Sequence, residues 1–201
     1  MDEAKKLGGG IARAWVTIAI AVAAGIVFAW PALARAFIYR RADLVAGQIW
    51  RLWTGHLVHY NPGHLLWDLT VFLPAGAWLE AILPGLARRF YLFAPPAVSI
   101  ALFVFEPALG RYAGLSGIAT GLLVLLALVQ WRRDTRAPVW FWPAVLLLVA
   151  FKIAAETVSS EPLLARFEPG VRVVPLAHIG GVVCAAIAFL AVRRRAAPRA
   201  G

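Results

Sequence analysis

The feature that most constrains this chain is a succession of long apolar runs separated by short polar segments. A helix needs about 20 mostly apolar residues to cross a bilayer. With 62% hydrophobic and 15% charged residues, the chain is far more apolar than a soluble domain. We therefore predict an all-α integral membrane protein, a bundle of six transmembrane helices at residues 11–30, 62–83, 90–105, 115–131, 139–158 and 175–192.

The third of these spans is predicted to be short, because Pro95 and Pro96 interrupt it. The six spans form one membrane domain, residues 11–192, between a polar N-terminal segment, residues 1–10, and a basic tail, residues 193–201. The first run is interpreted as a retained helix and not a cleaved signal peptide, because five further runs follow it.

The distribution of Lys and Arg predicts the orientation of the chain in the bilayer. Six spans place both termini on one side, and basic residues are enriched on the cytoplasmic side of membrane proteins. The side that holds the termini carries twelve Lys and Arg residues against seven on the other, with Lys152 inside a span. Both termini are therefore predicted to be cytoplasmic.

The residue pattern argues against a nucleic-acid partner, and it excludes disulfide and cysteine-based metal chemistry. The net charge of +10 comes from short basic clusters between apolar runs, as at a membrane surface, and not from a nucleic-acid-binding face. The single cysteine, Cys184, lies within an apolar run. It allows neither an intramolecular disulfide nor a cysteine-based metal site.

A few polar residues fall inside the predicted spans, where burial is expensive and polar groups are usually functional. His64 and Asp68 lie one turn apart near the start of span two, Ser116 near the start of span four and His178 near the start of span six. In the predicted topology all three spans start at the outer face. The four residues are therefore expected at similar depth, in one site.

Small residues predict that spans four and six pack closely. Gly117 and Gly121 are four apart on span four, and Ala177, Gly181 and Ala185 repeat at the same spacing on span six. Such spacing lets membrane helices approach each other. Gly117 adjoins Ser116 and Gly181 lies one turn from His178, so close packing would bring the hydroxyl to the imidazole, the arrangement of a nucleophile and its general base.

The sequence also predicts the size of the catalytic group and the donors that would stabilise an oxyanion. No carboxylate lies near His178 in the sequence, so we expect a Ser116–His178 dyad without a third member. The backbone N–H groups of Leu115 and Ser116, with the side chain of His64, are candidate oxyanion donors. Lys152 and Glu156, four apart on span five, are expected to pair with each other.

A histidine cluster leaves a metal site open as an alternative. His56, His59 and His64 are close in sequence, but no HExxH motif is present. We interpret His56 and His59 as structural hydrogen-bonding groups of the first loop, and predict neither a metal nor a cofactor. Glu80 is interpreted as a structural partner of Arg88 or of loop backbone.

In this pattern the chain resembles the rhomboid intramembrane serine proteases. The matching segments lie between Gln48 and Phe189: Trp50-Arg51-Leu52-Trp53-Thr54-Gly55-His56, then His59, His64 and Asp68, then Glu80 and Gly85, then Gly114-Leu115-Ser116-Gly117, and last Ala177-His178-Ile179-Gly180-Gly181. The resemblance implies Ser116 as nucleophile, His178 as base and His64 as oxyanion donor. Two positions depart from it: Asp68 stands where rhomboids have asparagine, and Thr120 where many have tyrosine.

The chain is more specifically similar to the rhombosortase branch of that family. This implies a protease of the cell membrane, the bacterial inner membrane, that cuts proteins near a C-terminal Gly-Gly, apolar helix and basic tail. Two alternatives stay open. One is an inactive rhomboid-like binder or chaperone of transmembrane helices, favoured by Asp68, and the other is a small transporter or metal-binding membrane protein. The sequence predicts no oligomeric state.

Overall fold

The computed structural model describes residues 13–159 and 173–196, and most of these residues are helical. The predicted segments 1–10 and most of the tail lie outside the described residues. In chain order the elements are α1 (Trp15–Ala29), α2 (Pro31–Phe37), β1 (Tyr39–Arg40), α3 (Arg41–Val45), α4 (Arg51–Thr54), a 3-10 turn (Gly55–Leu57), α5 (Pro62–Ile82), α6 (Pro84–Phe105), β2 (Arg111–Tyr112), α7 (Ser116–Arg133), α8 (Phe141–Ser159) and α9 (Pro175–Ala196).

Four of these helices, α5, α6, α8 and α9, are long and apolar enough to cross a membrane. A fifth span is possible if α1 and α2 are counted together, although the chain bends by 112° between them at Pro31. The multi-pass helical prediction is confirmed. The helix α7 is not among these spans, because Gln130, Arg132 and Arg133 end its apolar run early.

Helix α7 is nevertheless the centre of the bundle. It packs against α5 on one side and α9 on another, with α8 and α6 completing its surroundings. Most of its side chains are buried, among them Ile118, Leu122 and Leu125. A helix enclosed by other helices does not face lipid, so it can begin with the polar Ser116.

The predicted short third span is wrong: α6 begins at Pro84 and runs unbroken through Pro95 and Pro96. A proline lacks an N–H, so Pro96 leaves the carbonyl of Leu92 without its helical donor. The indole Nε1 of Trp53 donates to that carbonyl at 2.9 Å. The first loop therefore supplies the hydrogen bond that the proline removes.

Arg51 holds the first loop together from inside. Its side chain is buried. Its guanidinium donates to the carbonyl of Ile38 at 2.6 Å and to Oε1 of Gln48 at 2.8 Å, and lies 3.0 Å from Oδ2 of Asp43. A buried guanidinium needs this many acceptors, so Arg51 fixes the path of the loop.

A two-stranded antiparallel pairing joins that loop to the segment before Ser116. Tyr39 pairs with Tyr112 in this ladder. Within the loop, the backbone at Gly55 passes so close to Tyr39 that a Cβ at Gly55 would lie 2.9 Å from the Cβ of Tyr39. The first loop is thus packed against the start of α7, where the candidate site lies.

Glu80 joins α1 to the C-terminal part of α5. Its fully buried carboxylate accepts hydrogen bonds from the backbone N–H and the hydroxyl of Thr17, each at 2.9 Å. The Nε of Arg88 lies 3.4 Å away, which confirms the predicted pairing.

Candidate active site

The turn before Ser116 requires a glycine. Gly114 has φ +118°, a conformation that side chains disfavour, and Ser116 is the first residue of α7. A Cβ at Gly114 would lie 2.6 Å from Nε2 of His64 and 3.2 Å from Oδ2 of Asp68. The backbone before the serine therefore presses directly against the polar residues of α5.

The predicted close packing of α7 and α9 is confirmed. A Cβ at Gly117 would lie 2.7 Å from the carbonyl oxygen of Ala177, and one at Gly121 would lie 2.6 Å from that of Gly181. A Cβ at Gly181 would overlap the carbonyl oxygen of Gly117. Only glycine allows these backbones to touch.

This helix contact is made by the sequence neighbours of the two candidate catalytic residues. Ser116 directly precedes Gly117, and His178 directly follows Ala177. The serine is half-buried, whereas the histidine is buried at 4% exposure. The structure therefore brings to one helix–helix contact two residues that are 62 positions apart in sequence.

The expectation that no carboxylate lies beside His178 is wrong. Oε2 of Glu156, near the end of α8, lies 3.1 Å from Nδ1 of His178. The two atoms are within hydrogen-bond distance, although the ring is not aligned for a linear bond. The predicted pairing of Glu156 with Lys152 is confirmed at 2.6 Å, through the same carboxylate oxygen.

His59, His64 and Asp68 form a buried cluster beside the turn that precedes Ser116. Oδ2 of Asp68 lies 3.1 Å from Nε2 of His59 and 3.4 Å from Nε2 of His64. The backbone N–H of Leu115 points at Nε2 of His59 at 3.4 Å. Three of the predicted site residues, His64, Asp68 and Leu115, are therefore brought together, and His59 joins them.

This cluster is also the one group within the described residues whose geometry suits a metal ion. The ligand atoms of His59, His64 and Asp68 all lie within 4.8 Å of one another. Two imidazoles and a carboxylate are ligands that zinc accepts. The same distances fit a carboxylate that orients two histidines by hydrogen bonds, which needs no ion.

His56 has the structural role that was predicted for it. Its Nε2 lies 3.0 Å from the carbonyl of Pro95 and 3.0 Å from Oγ of Ser99, so it links the first loop to α6. Burial lowers the pKa of His56 to about 4, so the ring is neutral at physiological pH.

Tyr112 is a site residue that the sequence analysis missed. It is buried, its hydroxyl donates to the carbonyl of Gly114 at 3.2 Å, and it also contacts the hydroxyl of Ser116. Burial, reinforced by the charge of Asp68, raises the pKa of the phenol, so Tyr112 stays protonated. The only feature of the sequence that could have indicated Tyr112 is its position four residues before Ser116.

Together these features define a multi-pass helical membrane protein with a serine and a histidine at its central helix contact. The family model of the rhomboid domain matches residues 46–195. The chain therefore belongs to the rhomboid family, whose members are generally intramembrane serine proteases. No curated protein matches the chain.

Proposed function

We propose that this protein is an intramembrane serine protease with Ser116 as nucleophile and His178 as general base. The observation that carries the proposal is the glycine-mediated contact of α7 and α9. It supports the proposal because the residues next to Ser116 and His178 touch through their backbones, in a chain of the rhomboid family. A hydroxyl needs an adjacent base to become a nucleophile, and that contact supplies one.

The reaction would follow the acyl-transfer scheme of serine proteases. The Oγ of Ser116 attacks the scissile carbonyl carbon while the imidazole of His178 accepts the hydroxyl proton. His178 then gives that proton to the leaving amine as the C–N bond breaks, which leaves an acyl group on Ser116. A water, deprotonated by the same imidazole, hydrolyses the ester and restores the hydroxyl.

The negative charge that develops on the carbonyl oxygen needs donors. The backbone N–H groups of Ser116 and Leu115 lie at the N-terminal end of α7, where helical N–H groups have no intrahelical acceptor. In this proposal the N–H of Leu115 exchanges its 3.4 Å contact with Nε2 of His59 for the oxyanion. The imidazole of His64 is the third donor in this proposal. Asp68, placed between His59 and His64, orients the rings and does not itself contact the oxyanion.

For the substrate we propose a membrane-anchored protein with a C-terminal Gly-Gly, apolar helix and basic tail. The support is the resemblance to the rhombosortase branch. A physical argument adds to it, because a pair of glycines disfavours helix and can extend into a crowded site. The same proposal includes six spans, cytoplasmic termini and a bacterial inner membrane.

The proposal is tested by co-expression with candidate tailed substrates, comparing the wild type with Ser116→Ala and His178→Ala. Cleavage by the wild type, read as a new product C-terminus by mass spectrometry, is expected to vanish in both variants. Ser159→Ala, an exposed serine at the end of α8, serves as the matched control and should cleave normally. Unchanged cleavage in Ser116→Ala would refute the protease.

Fluorophosphonate labelling separates the protease from an inactive binder of transmembrane helices. Only a serine activated by a base reacts with this reagent. We expect labelling of the wild type that is lost in Ser116→Ala. An intact protein that binds helices but is never labelled would instead establish the binder.

A further inference from the structure

Helices α8 and α9 bring a carboxylate next to the ring of the candidate base. Glu156 lies near the C-terminal end of α8, and His178 lies near the N-terminal end of α9. Their Oε2 and Nδ1 atoms are 3.1 Å apart, and both side chains are at most 5% exposed.

We propose that Glu156 is a positioning residue for His178, so that the site is a Ser116–His178–Glu156 arrangement and not a dyad. This inference rests on the proposed protease function. A carboxylate on Nδ1 holds the proton of the neutral ring on that nitrogen. Nε2 then carries the lone pair that takes the proton of Ser116.

The buried position of the histidine strengthens the case for a carboxylate. During acyl transfer the ring becomes an imidazolium, and a buried charge without a partner is costly. The neighbouring Glu156 supplies the opposite charge at the moment it is needed. Its carboxylate already lies 3.1 Å from Nδ1, so a small rotation of the ring is enough to align the hydrogen bond.

The pairing with Lys152 does not account for the position of Glu156 by itself. Lys152 is 24% exposed and could reach solvent, whereas Glu156 is 3% exposed and turned toward α9. An ion pair of adjacent turns on one helix does not need to be buried against a second helix. The burial of Glu156 against α9 therefore has a second cause, the neighbouring ring of His178.

The test compares Glu156→Gln, Glu156→Asp and Lys152→Met with the wild type, all as full-length protein. Glu156→Gln keeps the shape and removes the charge, and Glu156→Asp keeps the charge on a shorter side chain. Lys152→Met is the matched control, since it breaks the ion pair within α8 and leaves the carboxylate beside His178. Cleavage kinetics, the rate of fluorophosphonate labelling and thermal unfolding in detergent are measured for each.

We expect Glu156→Gln to lower kcat and the labelling rate by about 10²-fold or more, with KM within threefold of wild type. Glu156→Asp should recover part of that loss, and Lys152→Met should stay within threefold of wild type in both rates. If Glu156→Gln does not fold, the contrast between Glu156→Asp and Lys152→Met carries the test.

Three results would overturn the inference, and they are distinguishable. If the wild type is labelled at Ser116 and Glu156→Gln is equally reactive, the positioning role is wrong while the protease stands. The same holds if Lys152→Met reproduces the loss in full, because the ion pair alone would then be responsible. If the wild type is neither labelled nor active, the protease itself fails and the role of Glu156 fails with it.

Discussion

The carbonyl oxygen of Gly181 lies 2.6 Å from the position that a Cβ of Gly121 would occupy, so α7 and α9 touch through their backbones. The contact continues one turn earlier at Gly117, directly beside Ser116. The distance between these two helices therefore sets the distance between the candidate nucleophile and its base. This relationship makes the site sensitive to changes of a single methyl group.

Gly121→Ala is expected to separate the two helices and lower both stability and reactivity. The added methyl group meets backbone and the ring of Phe90, which cannot move aside easily. Overpacking of this kind costs about 1–3 kcal/mol. Thermal unfolding and fluorophosphonate labelling measure the two effects. Gly25→Ala in α1, where nothing lies within 4 Å, is the control and should retain both properties.

Gly114→Ala is expected to disable the site by a different route. Its φ of +118° strains any side chain, and the new methyl group would meet Nε2 of His64 at 2.6 Å. Gly47→Ala carries a comparable strain, with φ +90°, but meets nothing within 4 Å. Labelling of Ser116 should be lost in the first variant and kept in the second. Equal losses would show that backbone strain alone is responsible.

Substitutions of Asp68 report whether it orients His64 or acts through its charge. Asp68→Asn keeps an oxygen that accepts a hydrogen bond from an imidazole, so cleavage should remain within a few fold of wild type. Asp68→Leu removes the acceptor, and loss of an oriented oxyanion donor should lower kcat by about 10²-fold. A large loss in Asp68→Asn would mean that the carboxylate charge is required.

Metal removal is expected to leave the enzyme active. The cluster of His59, His64 and Asp68 has a geometry that an ion could use, but the proposed chemistry needs His64 as a hydrogen-bond donor. Dialysis against a chelator, followed by metal analysis and a cleavage assay, measures this. Activity that disappears with the metal and returns on adding zinc would contradict the proposal.

The stability of the protein is expected to fall as the pH is lowered from 6.5 to about 4. Burial lowers the pKa of His56 to about 4 from its ordinary value of 6.5, so in this range the unfolded chain binds a proton that the folded protein does not. The contribution of neutral His56 to the free energy of unfolding is fully present above pH 6.5 and amounts to about 3 kcal/mol. Thermal unfolding of the wild type and His56→Gln across this range tests it, since the variant should lack this part of the pH dependence.

The apolar runs and the motif around Ser116 were sufficient to predict the helices and much of the candidate site. Length and hydrophobicity are local properties, so the ends of α5 and α8 came within a few residues of prediction. The prediction that α6 is short was wrong because a contact between distant parts of the chain keeps the helix continuous at its prolines. Nothing near Pro96 in the sequence indicates that Trp53, far away in the chain, supplies the missing hydrogen bond.

The sequence by itself determined that the chain is a helical membrane protein and that Ser116, His178 and His64 are the residues to examine. Only the tertiary structure decided what surrounds them. Lys152, four residues before Glu156, satisfies that carboxylate locally, so the sequence offered no reason to seek a second partner. The packing of α8 against α9 brings His178 to the same oxygen, because helices joined by distant segments meet through shape and not through sequence spacing.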